Sequence, residues 1–229
     1  MEMNKSNSMS LAIPPIEEPV QRAEIVYKSL LDGIMRGELE LGAQLNADAI
    51  AQHLKVSTTP VRDALNRLEK DGLVVKLPYQ GWFVRQFQEQ EIRDLYEVRA
   101  GLECLGVRLA CDRITAEEIE RLRDHQHTGE EALEHEDLDA YRLYNQELHA
   151  IVMNASRNSE LATVMAYISR KTQMLSARTI RMLGRPPRAV REHKQLIQYI
   201  SMRNSLAAQQ LMEHHILSAM EDILLHGLT

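Results

Sequence analysis

The stretch STTPVRDALNRLEKDGLV, residues Ser57 to Val74, sorts its side chains sharply by polarity. Val61, Ala64, Leu65 and Leu68 fall at i, i+3, i+4 and i+7, which gives one apolar stripe on a helix. Ser57 is placed to cap that helix, and Pro60 lies in its first turn, where a missing N–H is harmless. Thr58, Thr59, Arg62 and Asn66 share a polar face near the helix N-terminus, and Gly72 ends the helix. Upstream, a short helix runs from an Asn46 cap through Ile50 and Leu54, and Lys55–Val56 turns the chain. Further upstream an amphipathic helix is predicted over Gln21–Met35, with Ile25, Leu30, Leu31 and Ile34 on its stripe. The GELELGAQL segment after it reads as a loop. Downstream, LVVKL and GWFVR read as two strands joined around Pro78–Gly81. Three helices and a hairpin in this order make a winged helix-turn-helix. That arrangement projects the N-terminal residues of its third helix into the major groove of duplex DNA. A solvated face on a small helical subdomain is the alternative for any one of these helices, and the complete pattern favours DNA.

The chain has 229 residues, enough for two modest domains, and is rich in helix-forming residues with few aromatics. The formal charge of −6 argues against coating nucleic acid by bulk electrostatics. Residues 21–85 hold nine Lys/Arg against eight Asp/Glu, while residues 86–229 hold seventeen against twenty-two. Any DNA contact must therefore come from where the charges sit. No apolar run reaches the roughly 18 residues a membrane span needs, and the N-terminus lacks the pattern of a secretory signal. Residues 1–20 read as a flexible leader. Cys104 and Cys111 lie seven apart, which suits two buried thiols on one helix face in a reduced, cytoplasmic protein.

From about Gln88 onward the pattern is helical throughout. Thr115 with Glu118 forms a capping box opening a second long helix of this half. A third starts near Asp137 and a fourth at Asn158 or Ser159. The GRPP motif breaks the chain near residues 184–187, a fifth helix runs to about Arg203, and a sixth from an Asn204 cap to about His226. Met165, Met174, Met182 and Met202 read as helix-core filling. Six or seven antiparallel helices would enclose a second core with a cavity between them. His149, His193 and His215 stand on three different helices of this half, and Asn145 shares a helix face with His149. His214 points about 100° away from His215 and is left out. Taken singly, each histidine is more often a surface or satisfied interior residue than a metal ligand.

The segment VYKSLLDGIMRGELELGAQLNADAIAQHLKVSTTPVRDALNRLEKDGLVVKLPYQGWFVR resembles the DNA-binding domain of the GntR family of bacterial transcription regulators. EIRDLYEVRAGLECLGVRLA resembles the first helix of the all-helical FCD ligand-binding domain of the FadR-like subfamily. Together the resemblance covers roughly residues 24–226. Two departures concern DNA: Asp48 and Thr58 stand where family members usually carry DNA-contacting arginines. A carboxylate near phosphates is repulsive, and losing an arginine removes a bidentate guanine contact. Arg62 and Arg67 match the family pattern. An operator unlike those of typical relatives is therefore expected.

The resemblance also bears on the histidines. Many FCD domains bind a divalent metal through a D-x3-H pair, an E-H motif and a histidine near the end of the last helix. Asn145 with His149, Glu192–His193 and His215 sit at those positions. Imidazoles suit Zn or Ni, with coordination positions left open for water or a carboxylate. Asn145 replaces the usual aspartate, so affinity should fall and the site becomes one unit more positive, which favours an anionic effector. Arg99 occupies a position where such regulators commonly have a pocket-facing arginine, suited to a bidentate pair with an effector carboxylate. A salt bridge with Glu97 or Glu103 is its structural alternative. Arg178 and Arg181 are further candidates for the same cavity.

The expectation is a mainly α protein: a leader (1–20), a winged helix-turn-helix domain (21–86) and a helical effector-binding and dimerisation domain (87–229). It is expected to be no enzyme but a homodimeric regulator of a double-stranded DNA operator, answering to a small organic acid. Ser57, Thr58, Thr59, Arg62, Asn66, Arg67, Gln80 and Gly81 form the expected DNA contacts. A regulator sensing the metal itself is the alternative. A metal-dependent hydrolase is less favoured, because Glu192 has only sequence adjacency to recommend it as a base.

Overall fold

The computed structural model describes residues 19–180 and 184–226. The leader expected over 1–20 therefore falls almost wholly outside the described residues. In the N-terminal third, α1 (Pro19–Met35), α2 (Ala47–Leu54) and α3 (Thr58–Lys70) pack with strands β1 (Gln44–Leu45), β2 (Val74–Leu77) and β3 (Gly81–Val84). This is a winged helix-turn-helix. Val61, Ala64, Leu65 and Leu68 are all buried, as their spacing requires. On α1 the buried stripe is Val26, Tyr27, Leu30 and Ile34, while Ile25 is 63% exposed. The expected stripe was rotated at its start: Ile25 lies one residue, about 100°, off the face that meets α3.

Asn46 caps α2 as expected, its Oδ1 accepting from the N–H of Asp48 and Ala49 at 3.0 Å each. Ser57 has cap geometry before α3, but its side chain makes no capping bond. The cause is in the sequence. A capping serine takes the N–H of the second or third helical residue, and Pro60 removes the third, which leaves only that of Thr59. The segment read as a loop supplies a strand. Gln44 and Leu45 pair antiparallel with Phe83 and Trp82, so the sheet order is β1-β3-β2. Two residues are too few to show a period-2 pattern.

Residues 89–226 form six helices among the described residues: α4 (Glu89–Arg113), α5 (Ala116–Glu134), α6 (Leu138–Ala155), α7 (Ser159–Thr179), α8 (Arg185–Ser201) and α9 (Ser205–His226). Their starts follow the predicted caps. The Thr115 hydroxyl accepts from the Glu118 N–H and the Glu118 carboxylate from the Thr115 N–H, at 3.2 and 3.1 Å. Asp137, Asn158 and Asn204 each accept from a first-turn N–H. GRPP falls at the expected break between α7 and α8 and opens α8. Gly184, at φ +92°, sits before it, and Arg185, Pro186 and Pro187 make its first turn, where a proline's missing N–H costs nothing.

The helical core gathers around α4, which packs on α9, α6 and α7. Met165 and Met174 are buried in it, but Met202, expected there too, caps α8 and is 74% exposed. Met182 lies outside the described residues. Cys111 is buried and Cys104 half-buried; both are free thiols.

Candidate metal centre and DNA-facing surface

Helix α4 carries the apolar positions Tyr96, Ala100, Val107 and Ala110 on one buried stripe, and Glu103 falls in the same stripe with no exposure. A carboxylate there must be paired. Its Oε1 accepts from Arg99 Nε at 3.1 Å and its Oε2 lies 3.0 Å from His149 Nδ1 on α6. Burial pushes this carboxyl up, but His149 and Arg99 outweigh it and hold it down at about 2. Glu103 is therefore a carboxylate, and the His149 Nδ1 facing it carries the proton.

The other two imidazoles are oriented in the same way. His215 Nδ1, on α9, lies 2.6 Å from Oε2 of Glu192. On α8, His193 Nδ1 lies 3.0 Å from the Tyr144 hydroxyl. That hydroxyl donates its one proton to Gln126 Oε1 at 2.8 Å, so it accepts from His193. Gln126 is itself fixed, because its Nε2 donates to the Val190 carbonyl and to Glu130. Burial first, and then the facing histidines and nearby arginines, hold His193 and His215 well below the usual imidazole value. Both are neutral at pH 7, with their Nδ1 protons committed outward.

The consequence is geometric. His149, His193 and His215 bring one ring nitrogen each to within 4.8 Å of one another. His149 Nε2 is buried with no hydrogen-bond partner among the described residues, and the Nε2 atoms of His193 and His215 lie 3.3 Å apart. Lone pairs at that distance repel, and a shared cation converts the repulsion into coordination. Three imidazoles, each with its second nitrogen facing a carboxylate or a fixed phenol, fit a divalent transition metal. Asn145 lies one turn from His149 on the wall of the adjoining cavity, which suits a further neutral oxygen ligand. His214 is exposed and takes no part.

That cavity, about 370 Å³, is lined by His149, His215, Asn145 and Arg99 among others. Arg99 pairs with Glu103, the salt bridge that was its alternative reading, and also lies on the cavity wall. Two arginines that the sequence did not single out, Arg170 and Arg185, also line it. Arg185 is 8% exposed and is held by the His215 carbonyl and Ser218 at 3.4 and 3.2 Å. The side chain of Arg178 and the whole of Arg181 lie outside the described residues. Gln126 and Tyr144 were also missed, and Glu103 was expected only as a salt-bridge partner of Arg99, not of His149. Their signal was present as polar residues on the buried stripes of α4, α5 and α6, positions that need a partner.

On the DNA-facing side, Ser57, Thr59, Arg62 and Asn66 are exposed and Thr58 is half-exposed at the start of α3. Arg62 makes no ion pair or side-chain hydrogen bond with a described residue. Arg67 is different: its guanidinium lies 3.8 Å above the Tyr27 ring and pairs with Glu24, both on α1. It braces α3 against α1. Gln80 and Gly81 stand at the hairpin tip beside Tyr79, which is fully exposed at φ +63°. Gln44 Nε2 donates to the Gln80 carbonyl at 2.9 Å and ties the tip to β1. Asp48 is exposed in the first turn of α2.

Comparison with known proteins gives a concordant result. Residues 22–84 match the model of bacterial regulatory proteins of the gntR family, and residues 94–218 match the FCD domain. The Nta operon transcriptional regulator of Aminobacter aminovorans is 38% identical over 130 residues, 57% of this chain and 61% of that protein. The alignment thus spans less than two thirds of that relative. An uncharacterised HTH-type regulator of Bacillus subtilis, YdhC, is 28% identical over 80% of this chain and 83% of its own. Among solved structures, a GntR regulator from Rhodococcus sp. RHA1 superposes with a TM-score of 0.76 at 24% identity, covering 89% of this chain and 98% of that one. E. coli McbR/YncC gives 0.77 at 17% identity, over 89% and 97%. At these identities the two structures speak for the fold. No helix of the described residues is long and apolar enough to cross a membrane.

Proposed function

This chain belongs to the gntR family of bacterial regulatory proteins and carries an FCD domain, a regulator and not an enzyme; on that premise we propose that its operator affinity is set by a small carboxylate effector bound beside a divalent metal. The observation that carries the reading is the convergence of three imidazoles on one point, at the wall of a cavity that also holds Arg99. Zn or Ni suits the nitrogen donors. When bound, the ion would supply a Lewis-acidic position open to an effector oxygen. The protein's own part is to orient. Glu103, Glu192 and Tyr144 hold the three rings in one tautomer, and Asn145 supplies a neutral oxygen in place of a charged one. Arg99 and Arg185 line the same cavity, the first paired with Glu103 and the second with Asp222 at 3.5 Å, so an entering anion meets guanidinium groups whose charge is already shared.

The DNA-facing half is read residue by residue. Ser57, whose hydroxyl makes no capping bond, Thr58, Thr59, Arg62 and Asn66 would meet the major groove, with Gln80 and Gly81 in the wing. Arg67 would act there mainly by holding α3 on α1. Two copies of the chain would read two half-sites, their spacing fixed by the dimer axis. An effector changes this only by binding one arrangement of the domains more tightly than another.

The test is fluorescence anisotropy on operator DNA selected from the source genome. It is run with metal-free protein, with Zn or Ni alone, and with metal plus a panel of organic acids. The reading expects a shift of at least tenfold in Kd that needs both metal and acid. A full response to metal alone would make the ion itself the effector. Hydrolysis is disfavoured by the geometry, since Glu103 and Glu192, the carboxylates nearest the histidines, are both taken up in orienting rings.

A further inference from the structure

One guanidinium on the cavity wall is shared with the DNA-binding domain. Arg170, on α7, lines the cavity together with Ala166, Ser169 and Gln173. Its Nη1 nevertheless donates to Oδ1 of Asp71 at 2.6 Å. Asp71 is the C-cap of α3, the helix that carries the DNA-facing residues. Its other oxygen, Oδ2, accepts from the Tyr27 hydroxyl at 2.6 Å, and Arg67 of α3 lies over the Tyr27 ring. The Asp71 carboxylate thus joins α1, α3 and α7 at one point. The next residue leaves no slack: a Cβ at Gly72 would stand 2.7 Å from Lys171 Cε of α7, and Gly72 holds φ +73°.

We propose that Arg170 is an effector-binding residue whose resting partner is Asp71, so that an anion in the cavity and the cap of α3 compete for one guanidinium. This rests on the carboxylate-effector reading above and names the contact through which it acts. With the cavity free of anion, Arg170 holds the end of α3 against α7. When a carboxylate takes Arg170, Asp71 keeps only Tyr27, and the winged domain is released from α7. The occupant must be anionic, because a neutral ligand offers the guanidinium nothing that competes with a carboxylate. Size matters as well: the anion must span from the histidine and Arg99 end of the cavity to Arg170.

The test uses an anion built into the chain, so that no effector need be known. Ala166 is exposed on the cavity wall four residues before Arg170. Glu at i with Arg at i+4 is the favoured helical pair. Hydrogen exchange is measured on full-length, zinc-loaded protein at the amides of Asp71, Gly72 and Leu73, which bond to Arg67, Glu69 and Leu68 carbonyls. Ala166→Glu is expected to raise exchange there about tenfold, Ala166→Gln to leave it unchanged, and Asp71→Asn to raise it alike. Ala166→Glu added to Asp71→Asn should then have no further effect. Unchanged exchange in Ala166→Glu or in Asp71→Asn overturns the proposal. In parallel, calorimetry with citrate, succinate and acetate compares wild type with Arg170→Gln. Loss of at least tenfold in affinity for the acid that binds is expected. Binding untouched by Arg170→Gln overturns this proposal alone, whereas no binding of any of the three by wild type overturns the carboxylate reading and the competition with it.

Discussion

Replacing Glu103 by Gln changes one atom of the site and should cost most of its metal affinity. The carboxylate offers two acceptor oxygens, one to Arg99 Nε and one to His149 Nδ1. Glutamine offers one oxygen and one NH2 group. Since Arg99 is a cation only 12% exposed, the oxygen turns to it and the NH2 faces His149. His149 Nδ1 must then accept, which moves its proton to Nε2, the atom otherwise aimed at the other histidines. One of three ligand nitrogens is thereby blocked. Losing a partner that orients a ligand imidazole typically weakens metal binding 10–100-fold, about 1.4–2.7 kcal/mol. Glu103, 1% exposed and holding two donors, belongs at the upper end; Glu192, 12% exposed, belongs at the lower. Titration against a fluorescent zinc chelator reads both, with circular dichroism confirming that the variants are folded. A folded Glu103→Gln protein with the wild-type zinc Kd would refute the tautomer argument.

The helix glycines give a paired test. A Cβ at Gly129 would stand 2.5 Å from the Tyr144 ring, so Gly129→Ala should lower stability by about 1–3 kcal/mol in urea unfolding and weaken zinc binding by displacing Tyr144 from His193. Gly101 is exposed with nothing within 4 Å of its Cβ position, so Gly101→Ala should leave zinc binding unchanged and raise stability by up to about 1 kcal/mol. Burial pushes both the Cys104 and Cys111 thiols up to about 11. Raised values keep the reactive thiolate scarce, about one part in a thousand at pH 8, so iodoacetamide should label neither until the protein is unfolded. Asp48→Arg should steepen the salt dependence of binding to non-specific duplex by about one unit of log K per log salt, and Arg62→Ala should flatten it by about as much, both read by anisotropy.

How much the sequence could tell depended on whether a residue's role was local. Val61, Ala64, Leu65 and Leu68 declared the α3 core by spacing alone, and Thr115 with Glu118 declared the start of α5, because helix periods and caps act within a few residues. Strand β1 escaped because its two residues are defined only by the partner strand. The three histidines were singled out through the family resemblance, while their convergence is a property of how α6, α8 and α9 pack. Glu103, Gln126 and Tyr144 were legible in a weaker sense. Each stands on a stripe that the period marks as buried, which says that a partner exists; only the pairing of Glu103 with Arg99 was expected from the sequence. Arg170 had no such mark. It looks like any solvated helix arginine until α3 is laid against α7. Arg67 matched a DNA-contacting pattern, yet Tyr27 and Glu24, forty and more residues earlier, hold it to α1.

The central claim is that His149, His193 and His215 are metal ligands rather than a satisfied polar core. It is tested most directly by metal analysis of protein purified without affinity tag or added metal, beside the His149→Ala, His193→Ala double variant. The account predicts near-stoichiometric Zn or Ni in the wild type and none in the variant. A wild-type protein that arrives without metal and takes up none from excess Zn or Ni would contradict it.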